Sequence, residues 1–231
     1  MRDYSDYIFP PLILPLFLIL ILLPLIFIFF VITSSTVFQL VFDMNRNQAM
    51  TVFMLAVVGS LINIPVCELE GKPVERYYSF FGYIYAVREK KKILIAVNVG
   101  GCIIPSILAI KLISELPLKS WLLSFIICTI IIYFQARPVR GVGITVPMLI
   151  PPLTAAISSY ISLSIFGYPL ILLPKMAFST GVLSSLIGAD ILHLKDIEKI
   201  GSGVVSIGGA GTFDGIFLTG IFAVVFSIFL T

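Results

Sequence analysis

Two carboxylates stand in stretches of this sequence that are otherwise apolar enough to cross a membrane. Asp190 ends the phrase GAD within residues 169–191, and Asp214 follows the phrase GGAGTF within residues 204–230. A charged side chain at the centre of a bilayer costs at least about 2.5–3.5 kcal/mol on insertion scales. Such a group normally faces the interior of a helix bundle, pairs with a partner or becomes protonated. The chemistry that these two residues predict is therefore the binding of a cation or the carriage of a proton.

The two carboxylates are expected to lie in one layer of the bundle. With the sixth span running inward and the seventh outward, Asp190 would lie about 6 Å from the inner end of its helix at 1.5 Å per residue. By the same rise, Asp214 would lie about 12 Å into the membrane on the same side. Two carboxylates that meet in a low dielectric do not both ionise freely, so a shared site is predicted.

Further residues of the candidate site are neutral. Asn63 and Asn98 would act as neutral ligands from the first half of the chain, and the glycines Gly208, Gly209 and Gly211 would loosen the backbone before Asp214. Loosened backbone at membrane depth is tolerated only against protein or a wet cavity. Close helix packing through small residues is the alternative reading of these glycines. With one histidine and three cysteines at scattered positions, neither a metal site nor a cofactor is predicted.

Composition places the chain in the membrane. Of its 231 residues 59% are hydrophobic and only 12% are charged, and the mean hydropathy is +1.11. A soluble domain carries about 25% charged residues, so there is too little polar surface to cover a water-facing globule. The predicted partners are the lipid bilayer and a small solute or ion, with no nucleic acid and with the oligomeric state left open.

The expected architecture is an all-α, polytopic bundle of about seven transmembrane helices, since each crossing needs about 20 apolar residues. A single integral membrane domain, residues 1–231, would contain an N-terminal span and connector in 1–45, first-half spans in 50–134 and second-half spans in 135–231. A broken or glycine-rich last span is part of this prediction. The seven apolar stretches are 8–33, 50–67, 93–113, 118–134, 142–165, 169–191 and 204–230.

Orientation follows from the basic residues. Seven spans would put eleven of the 15 Lys and Arg residues on the side of the N-terminus. Short positive loops stay in the cytoplasm, so we predict a protein of the cell membrane whose N-terminus is cytoplasmic and whose C-terminus lies outside the cell. The main alternative is an eighth span before residue 43, which would distribute the basic residues over both sides of the membrane. The largest loop, residues 68–92, reads as a connector that lies along the membrane surface, with a docking or regulatory loop as the alternative.

Short phrases recur between the two halves of the chain. SLINIPV (60–66) resembles SLIGADI (185–191), and VNVGGCIIP (97–105) resembles VSIGGAGTFD (205–214). Two readings stay open: a parallel internal repeat, as in some transporters, or the chance recurrence of small apolar phrases.

Longer phrases carry a resemblance to a family. AVNVGGCIIP, ARPVRGVGITVPMLIPP, GVLSSLIGADILHL and SIGGAGTFDGIFLTGIFAV together resemble archaeal and bacterial multi-pass membrane proteins that are classed only as a domain of unknown function. The resemblance covers about residues 50–230. It implies membrane residence and a prokaryotic, archaeal source, and it brings no activity.

A looser resemblance is to intramembrane aspartyl proteases, which carry two catalytic aspartates on adjacent spans, one of them within GxGD. This chain departs from that pattern: glycine does not directly precede Asp214, Ala189 stands where a tyrosine is expected, and the proline motif at Pro147 comes before both aspartates. The leading prediction is a transporter or permeation protein for a small solute or ion. One version of this hypothesis couples transport to protons. The alternatives are a hydrolase that uses Asp190 and Asp214 as acid and base, and a lipid-handling or scaffold protein.

Overall fold

The computed structural model describes residues 10–80, 83–139, 143–199, 203–209 and 215–231. Within these residues there are seven α-helices and two short π-helical segments. The α-helices are α1 (Pro10–Phe42), α2 (Arg46–Gly59), α3 (Ile104–Ile113), α4 (Leu118–Gln135), α5 (Ile150–Phe166), α6 (Leu173–Ser185) and α7 (Gly215–Ile228). The π-helical segments are Val99–Ile103, which leads into α3, and Leu186–Ile191, which continues α6. Two 3₁₀ turns, Leu170–Leu172 and Leu194–Lys199, flank the α6 region.

The described chain is mostly helical, as predicted, but it also forms two sheets, so the all-α class is too narrow. Strands β1 (Asn63–Phe80) and β2 (Tyr83–Asn98) make a long antiparallel hairpin, and β5 (Gly203–Ile207) pairs in parallel with β2. Strands β3 (Arg137–Val139) and β4 (Gly143–Thr145) form a second, short hairpin. Valine, isoleucine and aromatic residues are frequent in β1 and β2, and these residue types favour the pleated strand.

The long hairpin replaces three features of the sequence prediction. The stretch 68–92 is strand for most of its length and not an irregular connector. The second predicted span ends as a helix at Gly59, and the third begins as strand and becomes helical only at Val99. Hydropathy could not reveal this, because short apolar runs fit a buried strand as well as a buried helix.

Three helical stretches of the described chain are long and apolar enough to cross a membrane: Pro15–Phe42, Leu118–Gln135 and Leu170–Asp196. The second and third agree closely with predicted spans four and six. Shorter apolar helices occupy Val99–Ile113, Ile150–Phe166 and Gly215–Ile228, where longer spans are predicted. The seven-span count, the orientation of the termini and the extent of a single membrane domain remain predictions.

The first helix is longer than its predicted span and is continuous through Pro15 and Pro24. Its C-terminal part enters the core, where Phe38 of α1 meets Phe178 of α6 and Phe217 of α7 at ring-centroid distances of 6.3 and 6.2 Å. Helix α6 lies at the centre of the bundle: residues 176–185 are all buried, and the helix packs against α3, α4, α5 and α7.

Candidate functional site

A cavity of about 330 Å³ lies where the second β-hairpin meets the first turn of α7. Four parts of the chain form its wall: β4 with the loop that follows, the first turn of α5, the end of α6 with its π-helical extension, and the first turn of α7. The lining residues are Ile144, Thr145, Val146, Met148, Pro151, Ser185, Ala189, Asp190, Gly215, Ile216, Leu218 and Thr219. The wall is mostly apolar, with one carboxylate and three hydroxyl groups.

Asp190 reaches this cavity from the π-helical segment that extends α6. Two turns earlier on the same helix, Gly181 packs against Thr219, and within the π-helical segment Gly188 lies against the Thr129 carbonyl of α4. A Cβ at Gly188 would come within 2.9 Å of that carbonyl oxygen, so the segment needs glycine to pass so close to α4. Single π-helical turns occur frequently at functional sites. The phrase GAD thus combines the close approach of Gly188 to α4 with a carboxylate in the cavity wall.

The hydroxyl groups of the cavity differ in how they are bonded. Thr219 Oγ1 donates to the Gly215 carbonyl at 2.6 Å, and Thr145 Oγ1 donates to the Arg137 carbonyl at 3.3 Å. Ser185 is 4% exposed, and its Oγ has no hydrogen-bond partner among the described residues. A buried hydroxyl without a partner costs about 1–3 kcal/mol, so this position favours a bound polar group.

The predicted partner of Asp190 cannot be placed. Asp214 and Gly211 lie outside the described residues. Gly215, which follows Asp214 in the sequence, lines the same cavity as Asp190. A site shared by Asp190 and Asp214 therefore remains a prediction.

The predicted neutral ligands form a separate cluster at the end of the three-stranded sheet. Asn63 and Asn98 face each other in the register of β1 and β2. Asn98 Nδ2 donates to Asn63 Oδ1 at 3.0 Å and to the Ser60 carbonyl at 2.7 Å, and Asn98 Oδ1 accepts from the Gly101 amide at 2.7 Å. From β5, Ser206 Oγ donates to the same Asn63 Oδ1 at 2.5 Å. We call Asn63, Asn98 and Ser206 the amide cluster.

Glycines close the space around the amide cluster. A Cβ at Gly209 would overlap Ser206 Oγ, and one at Gly208 would overlap the Cβ of Cys102. Gly208 also has a φ of +74°, a conformation that costs other residues about 1–2 kcal/mol. In the π-helical segment before α3, a Cβ at Gly100 would overlap the Ala56 carbonyl of α2. For these glycines close packing is the physical role that the structure supports.

The structure therefore divides the predicted site into two. Asn63, Asn98, Gly208 and Gly209 come together, whereas Asp190 lies in the wall of the cavity, and none of the first four residues is part of that wall as described. The buried side chain of Asn98 already uses both of its polar atoms on protein partners, which leaves it little capacity to bind a ligand.

A buried seam of hydroxyl groups between α4, α5 and α6 was missed in the sequence. Ser120 meets Ser162 at 3.0 Å, and one turn further Ser124 meets Ser158 at 3.0 Å and Thr180 at 3.3 Å. A third level joins Cys128 Sγ to Thr154 Oγ1 at 3.5 Å. The spacing of small polar residues in the sequence could have predicted this seam, because such residues recur every four positions on each helix. Such interhelical hydrogen bonds are worth about 0.6–2 kcal/mol each in membranes, and they hold these three helices together.

His193, two residues beyond the π-helical extension of α6, is buried. It is 6% exposed, its Nδ1 lies 3.0 Å from the Gly188 carbonyl, and its ring lies 4.7 Å from that of Tyr133. Because it does not line the cavity, its described contacts assign it to the packing of the α6 extension against α4.

Comparison with known proteins gives one family. No curated protein and no solved structure matches the chain, and neither the resemblance to intramembrane aspartyl proteases nor an archaeal source gains support. A family model described as "Protein of unknown function (DUF1614)" matches residues 57–226. This match covers well over half of the sequence and includes both hairpins, the amide cluster and the cavity, so the chain belongs to the DUF1614 family.

Proposed function

We propose that this protein is a multi-pass membrane protein that moves a small solute or ion across the bilayer through the Asp190 cavity. The observation that carries the proposal is the position of the cavity: it contains an acidic side chain and lies beside the first turn of α7, in an apolar segment that begins as strand β5 and ends as helix α7. Transporters commonly build their sites from interrupted helices, because backbone that leaves a helix at membrane depth needs protein or a wet cavity beside it.

Membrane residence is supported by the outer surface of the bundle. Large apolar side chains on several helices are exposed, among them Leu55 at 57%, Ile107 at 61% and Ile165 at 64%. Exposed apolar surface on this scale is unfavourable in water and suits lipid. Three helical stretches have the length and composition to cross the hydrocarbon.

In this proposal Asp190 is the group that binds a cationic solute or carries a proton. An ionisable side chain in such a segment is expensive to keep and is by default a functional candidate. The seam between α4, α5 and α6 keeps one wall of the cavity fixed, since Ser184 of α6 also donates to the Phe125 carbonyl of α4 at 3.2 Å. Helix α7 supplies another part of the wall through Gly215, Ile216 and Thr219.

The test is uptake into proteoliposomes that contain the purified full chain. We expect uptake of at least one solute from a panel of radiolabelled amines, amino acids, sugars and Na⁺ under an imposed pH or cation gradient. Asp190→Asn should reduce that uptake about tenfold or more, because it removes the ionisable group from the cavity.

The matched control is Glu68→Gln, the same chemical change at an exposed carboxylate that pairs with Lys92 at 2.9 Å outside the cavity. It should leave uptake unchanged. Full uptake by Asp190→Asn, or no gradient-driven uptake of any solute by the unsubstituted protein, would contradict the proposal.

A further inference from the structure

We infer that the three-stranded sheet controls access to the Asp190 cavity, and that Ile144 is the residue through which the sheet acts. This inference rests on the proposed function of the same cavity and adds how entry to it is regulated. Three features support it: the packing of Ile93 and Ile95 of β2, the weak support that β4 receives from its own hairpin, and the length of the long hairpin.

Ile93 and Ile95 form a small buried cluster on β2. They are 1% and 5% exposed, and neither belongs to the cavity wall as described. The partly buried residues that pack against this pair are Ile144, Leu194, Val205 and Ile207. Because Ile144 lines the cavity, the pair supports the cavity wall from outside.

The residues around this pair come from three segments that form the cavity wall or lead into it. Ile144 lies on β4 and is itself part of the wall. Leu194 follows the π-helical extension of α6 that carries Asp190, and β5 precedes α7 in the chain. A displacement of β2 at Ile93 and Ile95 therefore acts on β4 directly and on the other two segments next to the wall.

Ile144 lies between the sheet and the helical bundle. Besides the pair on β2, it packs against a group of buried residues that includes Ile132, Ala155 and Ala189. Ala189 also lines the cavity. Among the described residues, Ile144 is the only one that packs against both groups. Since protein interiors are close-packed, a shift or a truncation of this side chain opens a path beside the wall.

The short hairpin of β3 and β4 gives Ile144 little support of its own. The two strands pair over three residues each, and the residue opposite Ile144 is Pro138, which has no N–H to donate to the ladder. An isolated two-stranded hairpin is marginally stable at best in water. The position of Ile144 therefore depends on packing, and the sheet supplies that packing on one side.

The long hairpin is the part of the sheet on which a regulator would act. Strand β2 continues outward from Ile93 to Tyr83, and over residues 83–92 its pairing partner among the described strands is β1 alone. At the rise of a β-strand this arm is about 33 Å long. A partner that displaces the arm displaces Ile93 at its base, and with it the support of Ile144.

The experiment measures how fast a thiol in the cavity is alkylated. Ser185→Cys places that thiol at a buried position of the wall, and Cys67→Ser removes the exposed cysteine. The purified full chain in detergent reacts with N-ethylmaleimide, which is uncharged, and mass spectrometry gives the rate at each cysteine. Cys128, which is buried, reports unfolding of the bundle.

Ile144→Ala should raise the rate at residue 185 about tenfold or more, because a buried thiol reacts through local opening of the structure around it. Ile95→Ala should raise the rate several-fold, although Ile95 does not line the cavity, and Ile95→Val should give a smaller rise. Ile95→Val decides the matter if Ile95→Ala also exposes Cys128. An unchanged rate in Ile144→Ala, or in both Ile95 variants, would overturn the inference.

Two control variants separate this effect from general destabilisation. Leu112→Ala truncates a fully buried side chain of the main core, outside the cluster on β2, and such core truncations cost comparable stability. Ile161→Ala makes the same chemical change as the test variants at an exposed position of α5. Neither should change the rate at residue 185. A rise in Leu112→Ala equal to that in Ile95→Ala would overturn control by the sheet.

The labelling needs neither a substrate nor a gradient, so its outcome is separate from that of the proposed function. The expected rates, without gradient-driven uptake by the unsubstituted protein, would contradict transport and support control by the sheet. Asp190-dependent uptake, together with unchanged rates in the Ile144 and Ile95 variants, would support transport and overturn control by the sheet.

Discussion

Two glycine-bearing junctions follow the neighbouring parallel strands β2 and β5, and they lead to different surroundings. After β2, the sequence VNVGG leads through the first π-helical segment into α3, and after β5, the sequence VSIGG leads towards α7. The strands pair directly, with Val97 opposite Ile207. The two phrases that resemble each other in sequence are therefore close in space and leave the same end of one sheet.

Both junctions are closed at their paired glycines, and the second differs because it leads on to Gly215, where α7 begins. At Gly100 any side chain would overlap the backbone of α2, and at Gly208 and Gly209 it would overlap Cys102 and Ser206. At Gly215, a Cβ would meet no atom of the described residues within 4 Å, and the residue lines the Asp190 cavity. Glycine is thus required by contact at the first three positions and leaves room at the fourth, and the residue type alone does not distinguish the two cases.

The largest effect is expected at the first junction. Gly100→Ala would place a methyl group on the Ala56 carbonyl, and overpacking against backbone cannot be relieved by a side-chain rotation. We expect a loss of about 3 kcal/mol or more in the free energy of unfolding. The measurement is the thermal midpoint of the purified protein, together with its yield as a monodisperse species in size-exclusion chromatography. An unchanged midpoint would show that the first junction is not closed in the way described.

A smaller loss is expected in the amide cluster. Asn98→Ala would remove three hydrogen bonds and leave the Ser60 carbonyl and the Gly101 amide without these partners. The expected cost is about 2–3 kcal/mol, measured in the same unfolding experiment. Ser114→Ala is the control, because it removes an exposed bond from Ser114 Oγ to the nearby Lys111 carbonyl and should cost little. Equal losses in the two variants would contradict a structural role for the cluster.

The smallest effect is expected at Gly215, where α7 begins. Gly215→Ala adds a methyl group that would meet no atom of the described residues within 4 Å, at a residue in the first turn of α7. Because alanine loses less entropy than glycine in a helix, the free energy of unfolding should rise by about 0.4–1 kcal/mol. A loss comparable to that of Gly100→Ala would remove the contrast between Gly100 and Gly215.

The sequence predicts the helical interior of this protein better than its strands. Helix α4 and the α6 region lie where hydropathy places them, whereas α7 begins at Gly215, later than its predicted span. The pairing of β2 with β5 was missed because it joins residues more than 100 positions apart, and no local pattern encodes that contact. For the same reason the sequence could name Asn63 and Asn98 but could not separate them from the Asp190 cavity.

The phrases SLINIPV and SLIGADI, although similar in sequence, adopt different secondary structures. SLINIPV runs from the end of α2 into β1, whereas SLIGADI forms the last residue of α6 and its π-helical extension. The same first three letters therefore enter a strand in one place and a helical segment in the other. Proline explains part of the difference, since Pro65 cannot donate a helical hydrogen bond.

The N-terminal half of α1 shares almost nothing with the rest of the molecule. Residues 15–29 are all exposed, and burial begins only near Phe30. This half, which we call the rod, is therefore an exposed apolar helix about 22 Å long at 1.5 Å per residue. A detergent micelle that solubilises the protein must enclose the rod as well as the bundle, which makes the particle larger and less round than its mass suggests. Protease removal of the rod should shrink that particle while the Phe38–Phe178 contact and the melting of the bundle stay as they were.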